Sequence, residues 1–237
     1  MNVLDIGIVL FLLMFAVVGF KQGVIRELFS FVGIILIFYI SFILSNVVGK
    51  FLYLHLPFMD FVGSIEGMSA LNLLFYQVIA FILVFAILLT LYEIILKVSK
   101  VLQKIVNLTI VLWLPSKLLG ALVGFLKGYI ILFIVLLVLI VPFGSSELYS
   151  NSRFVGKIVY NTPILSNSMG GITKSTKKIY SLVDKVKNGN TNTDEANVQT
   201  IDVLLEYNLV DKETVRELIK EKKLENVKGY DEILNKY

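Results

Sequence analysis

The chain has no cysteine, which excludes disulfides, thiolate metal sites and cysteine nucleophiles. Its single histidine, His55, does not build a metal site unaided and reads as an interfacial residue. No glycine-rich loop carries a Lys-Ser/Thr for nucleotide phosphates, and there is no HExxH. The apolar stretches hold no pair of polar groups of the kind an intramembrane protease needs. Catalysis requires positioned titratable groups, so no enzyme, cofactor or metal is expected. Charge is sparse too: 17% of residues are charged and the net charge is +4. No basic block is long enough for nucleic acid.

Hydrophobic residues are abundant instead, at 57% of the 237 positions, with a mean hydropathy of +0.81. They gather in four runs: Val3–Phe20, Leu28–Val48, Leu71–Tyr92 and Leu118–Phe143. A hydrocarbon core about 30 Å thick is crossed by roughly 20 apolar residues in a helix. Four spans are therefore expected over residues 1–143. The first run has Asp5 in place of a basic n-region and no small-residue cleavage site before Lys21, so it is expected to persist as a span. The second part is polar. Residues 144–237 carry fourteen of the 22 Lys/Arg and thirteen of the 18 Asp/Glu.

Basic residues in short loops set orientation. The first connection, Lys21 to Glu27, has Lys21 and Arg26. The third, Glu93 to Lys117, has Lys97, Lys100, Lys104 and Lys117. The second, Gly49–Ala70, has only Lys50, opposed by Asp60 and Glu66. Connections one and three are thus expected in the cytoplasm, with both termini outside. Over 97–114, Val98, Val101, Leu102, Ile105, Leu108 and Leu112 recur at helical spacing, with Lys97, Lys100 and Lys104 opposite and Trp113 at the end. This pattern suits an amphipathic helix in the headgroup layer, or a solvated extension of span three. The aromatic segment 49–70 (Phe51, Tyr53, Phe58, Phe61) with Pro57 is expected to hug the interface or re-enter the membrane.

Gly120, Gly124 and Gly128 are spaced by four and line one face of the last span. Gly19 and Gly23 repeat the spacing at the end of the first. Such faces let backbones approach closely, either within one protomer or between protomers around an axis, with a pore as the further possibility. Lys127 lies among them. A charge at that depth either snorkels to the interface or serves at the mouth of a pathway.

Asp5, Gly19, Gly23, the Arg26-Glu27 pair and Gly33 form one constellation. Leu119-Gly120, Gly124 and Lys127-Gly128 form a second. Together they resemble the colicin V production protein family of bacterial inner-membrane proteins. The chain departs from the family pattern at Gln22, where a basic residue precedes the glycine, at Ser116, where an acid opens the last span, and at Lys127, where the family has Arg. The resemblance covers about residues 1–143. It implies a four-span protein of the bacterial plasma membrane needed for production or export of a secreted peptide toxin. The glycine-rich last helix is also similar to the pore-lining helix of small-conductance mechanosensitive channels.

Beyond Phe143, residues 144–193 read as a linker with an amphipathic helix over Ile172–Val186, whose Lys174, Lys177, Lys178 and Lys185 can reach headgroups. Asn188–Thr193 reads as a flexible joint. Residues 194–237 read as a small helical extramembrane domain. Asp194 caps one helix, Asp211 with Glu213 opens another, and Gly229 precedes a third at Tyr230–Lys236. So few residues make a marginal core, so the unit is expected to need a partner, or to remain a solvated tail.

The expected fold is thus all-α. It has four transmembrane helices, an interfacial helix before the last span and a helical C-terminal extramembrane region. Three roles are open: an envelope or export accessory protein, a small oligomeric channel, or a scaffold or sensor binding a partner through 194–237.

Overall fold

In the computed structural model, ten helices and one 3-10 turn account for the regular structure of the described residues, which are 2–61, 63–98, 113–143, 146–162, 170–224 and 229–237. The four long helices are α1 (Val3–Gln22), α2 (Val24–His55), α3 (Leu71–Val98) and α4 (Trp113–Phe143). All four are long and apolar enough to span a membrane. Large apolar side chains on them stay uncovered, such as Leu10, Leu36, Ile87 and Leu118. Lipid satisfies such a surface and water does not. The protein is an all-helical, multi-pass membrane protein.

Helix boundaries follow local chemistry. Asn2 and Asp5 form a reciprocal capping box at the start of α1. At its end only Gly23 separates α1 from α2. Gly23 adopts φ 78°, ψ 163°, a region open essentially to glycine alone. The expected seven-residue connection therefore shrinks to one residue. Lys21 lies in the last turn of α1, and Arg26 and Glu27 stand in the first turn of α2. The residues around Gly23 all tolerate a helix, so nothing else breaks it.

Helix α2 is longer than expected. Its 32 residues extend about 48 Å at 1.5 Å each, well past the hydrocarbon. Phe51 and Tyr53 are thus helical, and the second connection shortens to residues 56–70, with a 3-10 turn at Gly63–Ile65. No span-length helix lies among its described residues. Helix α4 begins earlier than expected, at Trp113. Pro115 is tolerated in its first turn, where amides have no intrahelical acceptor. Residues 99–112, the core of the proposed interfacial helix, lie outside the described residues.

The six shorter helices are α5 (Glu147–Ser150), α6 (Val155–Asn161), α7 (Gly170–Lys187), α8 (Thr193–Glu206), α9 (Lys212–Lys220) and α10 (Tyr230–Lys236). Compactness groups the chain into two units: Met1–Ser41 with Leu83–Asn161, and Phe42–Ile82 with Thr162–Tyr237. Hydropathy traces a different line, because α2 and α3 each contribute to both units.

In the first unit α1 lies along α4, Phe38 meets the edge of Phe133 at 6.5 Å, and α5 and α6 follow α4. Asn2 Nδ2 donates to the Leu148 carbonyl at 2.7 Å. The start of α1 and the segment after α4 thus lie at one end of this unit, as an even number of spans requires.

In the second unit the tail packs on the connection between α2 and α3. Met68, Val183 and Ala196 form a buried cluster joined by Ile65, Leu71 and Val186. The apolar face of α7, with Ile179, Leu182 and Val183 buried, is therefore turned to protein rather than headgroups. Lys178 pairs with Glu206 at 2.7 Å. The Asn188–Thr193 joint is short and hydrogen-bonded. Asn190 N–H donates to the Lys185 carbonyl at 2.8 Å, Gly189 is left-handed at φ 70°, and Asn192 caps α8. Asp211 caps α9 as its position suggests, whereas Asn192 rather than Asp194 caps α8.

Candidate functional site

An ionised side chain inside a bilayer costs a few kcal/mol unless it is paired or reaches water. Two polar sites in the first unit meet that requirement through tertiary contacts. The first joins α2 to α4. Lys127 Nζ forms an ion pair with Glu27 Oε1, with side-chain exposures of 8% and 0%. Lys127 also lies 3.4 Å from Ser30 Oγ and 5.7 Å from the centre of the Phe15 ring, where the ring face favours a cation. Lys127 therefore does not snorkel; it is enclosed. Glu27 sits in the first turn of α2, where the helix dipole favours a carboxylate. Arg26, its neighbour, is exposed.

The second site is Asp5. Its carboxylate accepts from Asn2 N–H at 3.1 Å, Ser152 Oγ at 2.6 Å and Arg153 N–H at 3.1 Å. Asp5 is fully enclosed. It ties the segment after α4 back to the first turn of α1. Ser116 accepts from Val24 N–H at 3.3 Å. It thus satisfies one of the free amides at the start of α2.

The predicted glycine face is an α1–α4 contact inside one chain. A Cβ on Gly124 would stand 2.9 Å from the Gly19 Cα, one on Gly120 2.8 Å from the Gly23 carbonyl carbon, and one on Gly128 2.6 Å from the Phe15 Cβ. At Gly120 and Gly124 the backbones touch, and at Gly128 the Phe15 side chain fills the space, so no side chain fits. Within the protomer this face borders α1 rather than a lumen. Gly33 has a separate role: any side chain there would collide with the Tyr92 ring, and the Tyr92 hydroxyl donates to the Phe29 carbonyl at 3.1 Å.

Of the interfacial residues, Lys100 and Lys104 lie outside the described residues. Lys97 falls in the last turns of α3 and Trp113 opens α4. His55 stacks on Phe51 at 4.3 Å.

Sequence reasoning missed a polar seam in the second unit. Gln77 Nε2 donates to Asn46 Oδ1 at 2.6 Å, and Gly49 leaves room for the Gln77 amide. Asn72 bridges the Met59 backbone from both sides, accepting at 2.8 Å and donating at 3.1 Å. Lys223 Nζ donates to the Tyr53 carbonyl at 3.2 Å and also to the Leu54 carbonyl, satisfying free groups at the end of α2. Asn197 receives Ala70 N–H at 3.1 Å and donates to the Gly67 carbonyl at 2.7 Å. The available signal was an amide inside an apolar run, at Asn46 and Gln77.

A family model described as colicin V production protein matches residues 4–163. The match reaches twenty residues beyond Phe143 and so includes Ser152 and Arg153, the partners of Asp5. No curated protein and no solved structure matches the chain. With the model covering more than half of its length, the chain belongs to the colicin V production protein family.

Proposed function

We propose that the protein is a non-catalytic component of the bacterial plasma membrane that supports production or export of a secreted peptide toxin. The family match, from α1 through α6, carries this reading. The Glu27–Lys127 pair and the Asp5 clasp then hold the helices together, and residues 194–237 present a surface to an envelope or export protein. Homo-oligomers and an arrangement with both termini outside belong to the same proposal. The channel alternative has less support, because the glycine face that would line a pore is occupied by α1.

Deleting the gene in a toxin-producing strain and assaying secreted toxin tests the reading. Loss of secreted activity, restored by the intact chain but not by a chain lacking 194–237, is the expected result. Unchanged secretion in the deletion strain overturns it. A C-terminal reporter active only outside the cytoplasm tests the orientation.

A further inference from the structure

Near the end of α2, the second unit contains a cavity of about 160 Å³. One wall is a single helix face, with Asn46, Lys50 and Tyr53 at helical spacing. The other is the turn between α8 and α9, from Asn208 to Asp211. Asn208 holds that turn in the left-handed region, at φ 53°, while Leu209 and Val210 are buried beneath it.

Three side chains on the helix wall of the cavity carry N–H or O–H groups with no acceptor among the described residues. Lys50 Nζ donates to Asp211 Oδ2 at 3.2 Å, which uses one of its three N–H groups. Asn46 Oδ1 is taken by Gln77, and its NH2 has no acceptor among the described residues. Tyr53 is 2% exposed, and its hydroxyl has no hydrogen-bond partner among the described residues. Ammonium, amide and phenol together suit an anionic oxygen cluster such as a phosphate. Beside them Asp211 receives Thr214 N–H on Oδ1, the single Thr214 hydroxyl hydrogen shared between both oxygens, and Lys50 on Oδ2. Those are three donated hydrogens for about four lone-pair sites, on a side chain still 44% exposed, so a further cation can share the carboxylate with the Thr214 hydroxyl.

Depth identifies the source of such a group. Lys50 lies two residues past the apolar run that ends at Val48, at headgroup level. Ile43 and Val47, on the neighbouring stripe of α2 toward the membrane interior, are 53% and 71% exposed. They offer an apolar track for acyl chains directly below the cavity.

We propose that this cavity binds the headgroup of an ethanolamine glycerophospholipid. The phosphate lies against Lys50, Asn46 and Tyr53, and the primary ammonium against Asp211. A choline headgroup fits less well because its quaternary nitrogen has no N–H to give Asp211. The site is independent of the role in toxin production.

Native mass spectrometry of the delipidated full chain in detergent tests this, with ethanolamine, choline and glycerol phospholipids of identical acyl chains. Retention of the ethanolamine lipid is expected to exceed that of the choline lipid about tenfold, the effect of one charge-assisted hydrogen bond. Lys50→Gln should lower retention of all three. Asp211→Asn, which still caps α9, should abolish the preference. Asn46→Leu leaves the Lys50–Asp211 pair in place and should weaken binding even if Lys50→Gln fails to fold. Equal retention of the three lipids, or wild-type retention by folded Asn46→Leu, overturns the proposal. Equally tight binding of acyl-free glycerophosphoethanolamine also overturns it, by pointing to a soluble ligand; failure of that compound to compete supports a lipid.

Discussion

Glu27 on α2 and Lys127 on α4 form an ion pair that excludes solvent almost completely. Neither charge is stable at that depth alone, so each accounts for the other. Removing one partner of a buried pair typically costs about 3–5 kcal/mol, whereas replacing both is often near neutral. Lys127→Met and Glu27→Gln are each expected to lower the thermal transition in detergent. The double variant should recover most of the loss. Additive losses in the double variant would show that the two side chains act separately.

Backbone contact between α1 and α4 makes the glycines sensitive even to a methyl group. Gly19→Ala, Gly120→Ala and Gly124→Ala each place a Cβ against rigid backbone and should destabilise by about 1–3 kcal/mol, the usual range for overpacking. Gly156→Ala meets nothing within 4 Å and should be silent. Thermal stability of the four variants, measured side by side, checks this. Gly33→Ala should be rescued by Tyr92→Ala, because the obstacle there is one side chain.

The Asp5 clasp predicts a local effect. Asp5→Ala removes the acceptor shared by Ser152 and Arg153 as well as the capping box. Residues 146–161 should exchange amide hydrogens faster, and Ser152→Ala should do so more weakly. Unaltered exchange in Asp5→Ala would show that this segment holds itself in place.

Asn197 bridges α8 to the connection between α2 and α3. Asn197→Ala leaves the buried Ala70 N–H without its acceptor, an orphan costing about 1–3 kcal/mol, whereas the Gly67 carbonyl keeps Ser69 N–H as a donor. Faster hydrogen exchange through 194–224 is expected, with the spans unaffected.

Asp211 and Lys178 each contribute one limb to the pH dependence of the tail. Burial pushes the Asp211 carboxyl up, but hydrogen bonds from Thr214 and Lys50 outweigh it and hold the carboxyl below its usual range. Its contribution is complete above the unfolded value of about 4 and is lost as pH falls through the lower folded value. Glu206 and Tyr207 hold the Lys178 ammonium above its usual range. That contribution is complete below about pH 10 and lost as pH rises through the folded value. Thermal stability should therefore form a plateau with an acid and an alkaline limb. Asp211→Asn should flatten the first and Lys178→Met should weaken the second, the remainder coming from Lys236, whose ammonium Asp202 holds above its usual range.

Much of this architecture is written in local pattern. The four apolar runs predicted the four spans, since crossing a bilayer demands length and composition from each segment separately. Gly120, Gly124 and Gly128 stood out because four-residue spacing aligns them on one helical face. Asp211 and Gly229 marked helix starts through side-chain and backbone chemistry within a few residues. The amides Asn46 and Gln77 are equally visible in the sequence, but their meaning depends on the facing helix.

The amino-acid order by itself therefore determined that the chain enters the membrane, where its helices lie and which faces lack side chains. Tertiary structure alone decided that Lys127 meets Glu27, that α1 fills the glycine face, and that the tail rests on Gly67 and Ala70. The physical reason is range. Insertion and capping are settled within one turn or one span. Pairing between helices depends on which surfaces meet after insertion, and no local pattern specifies that partner.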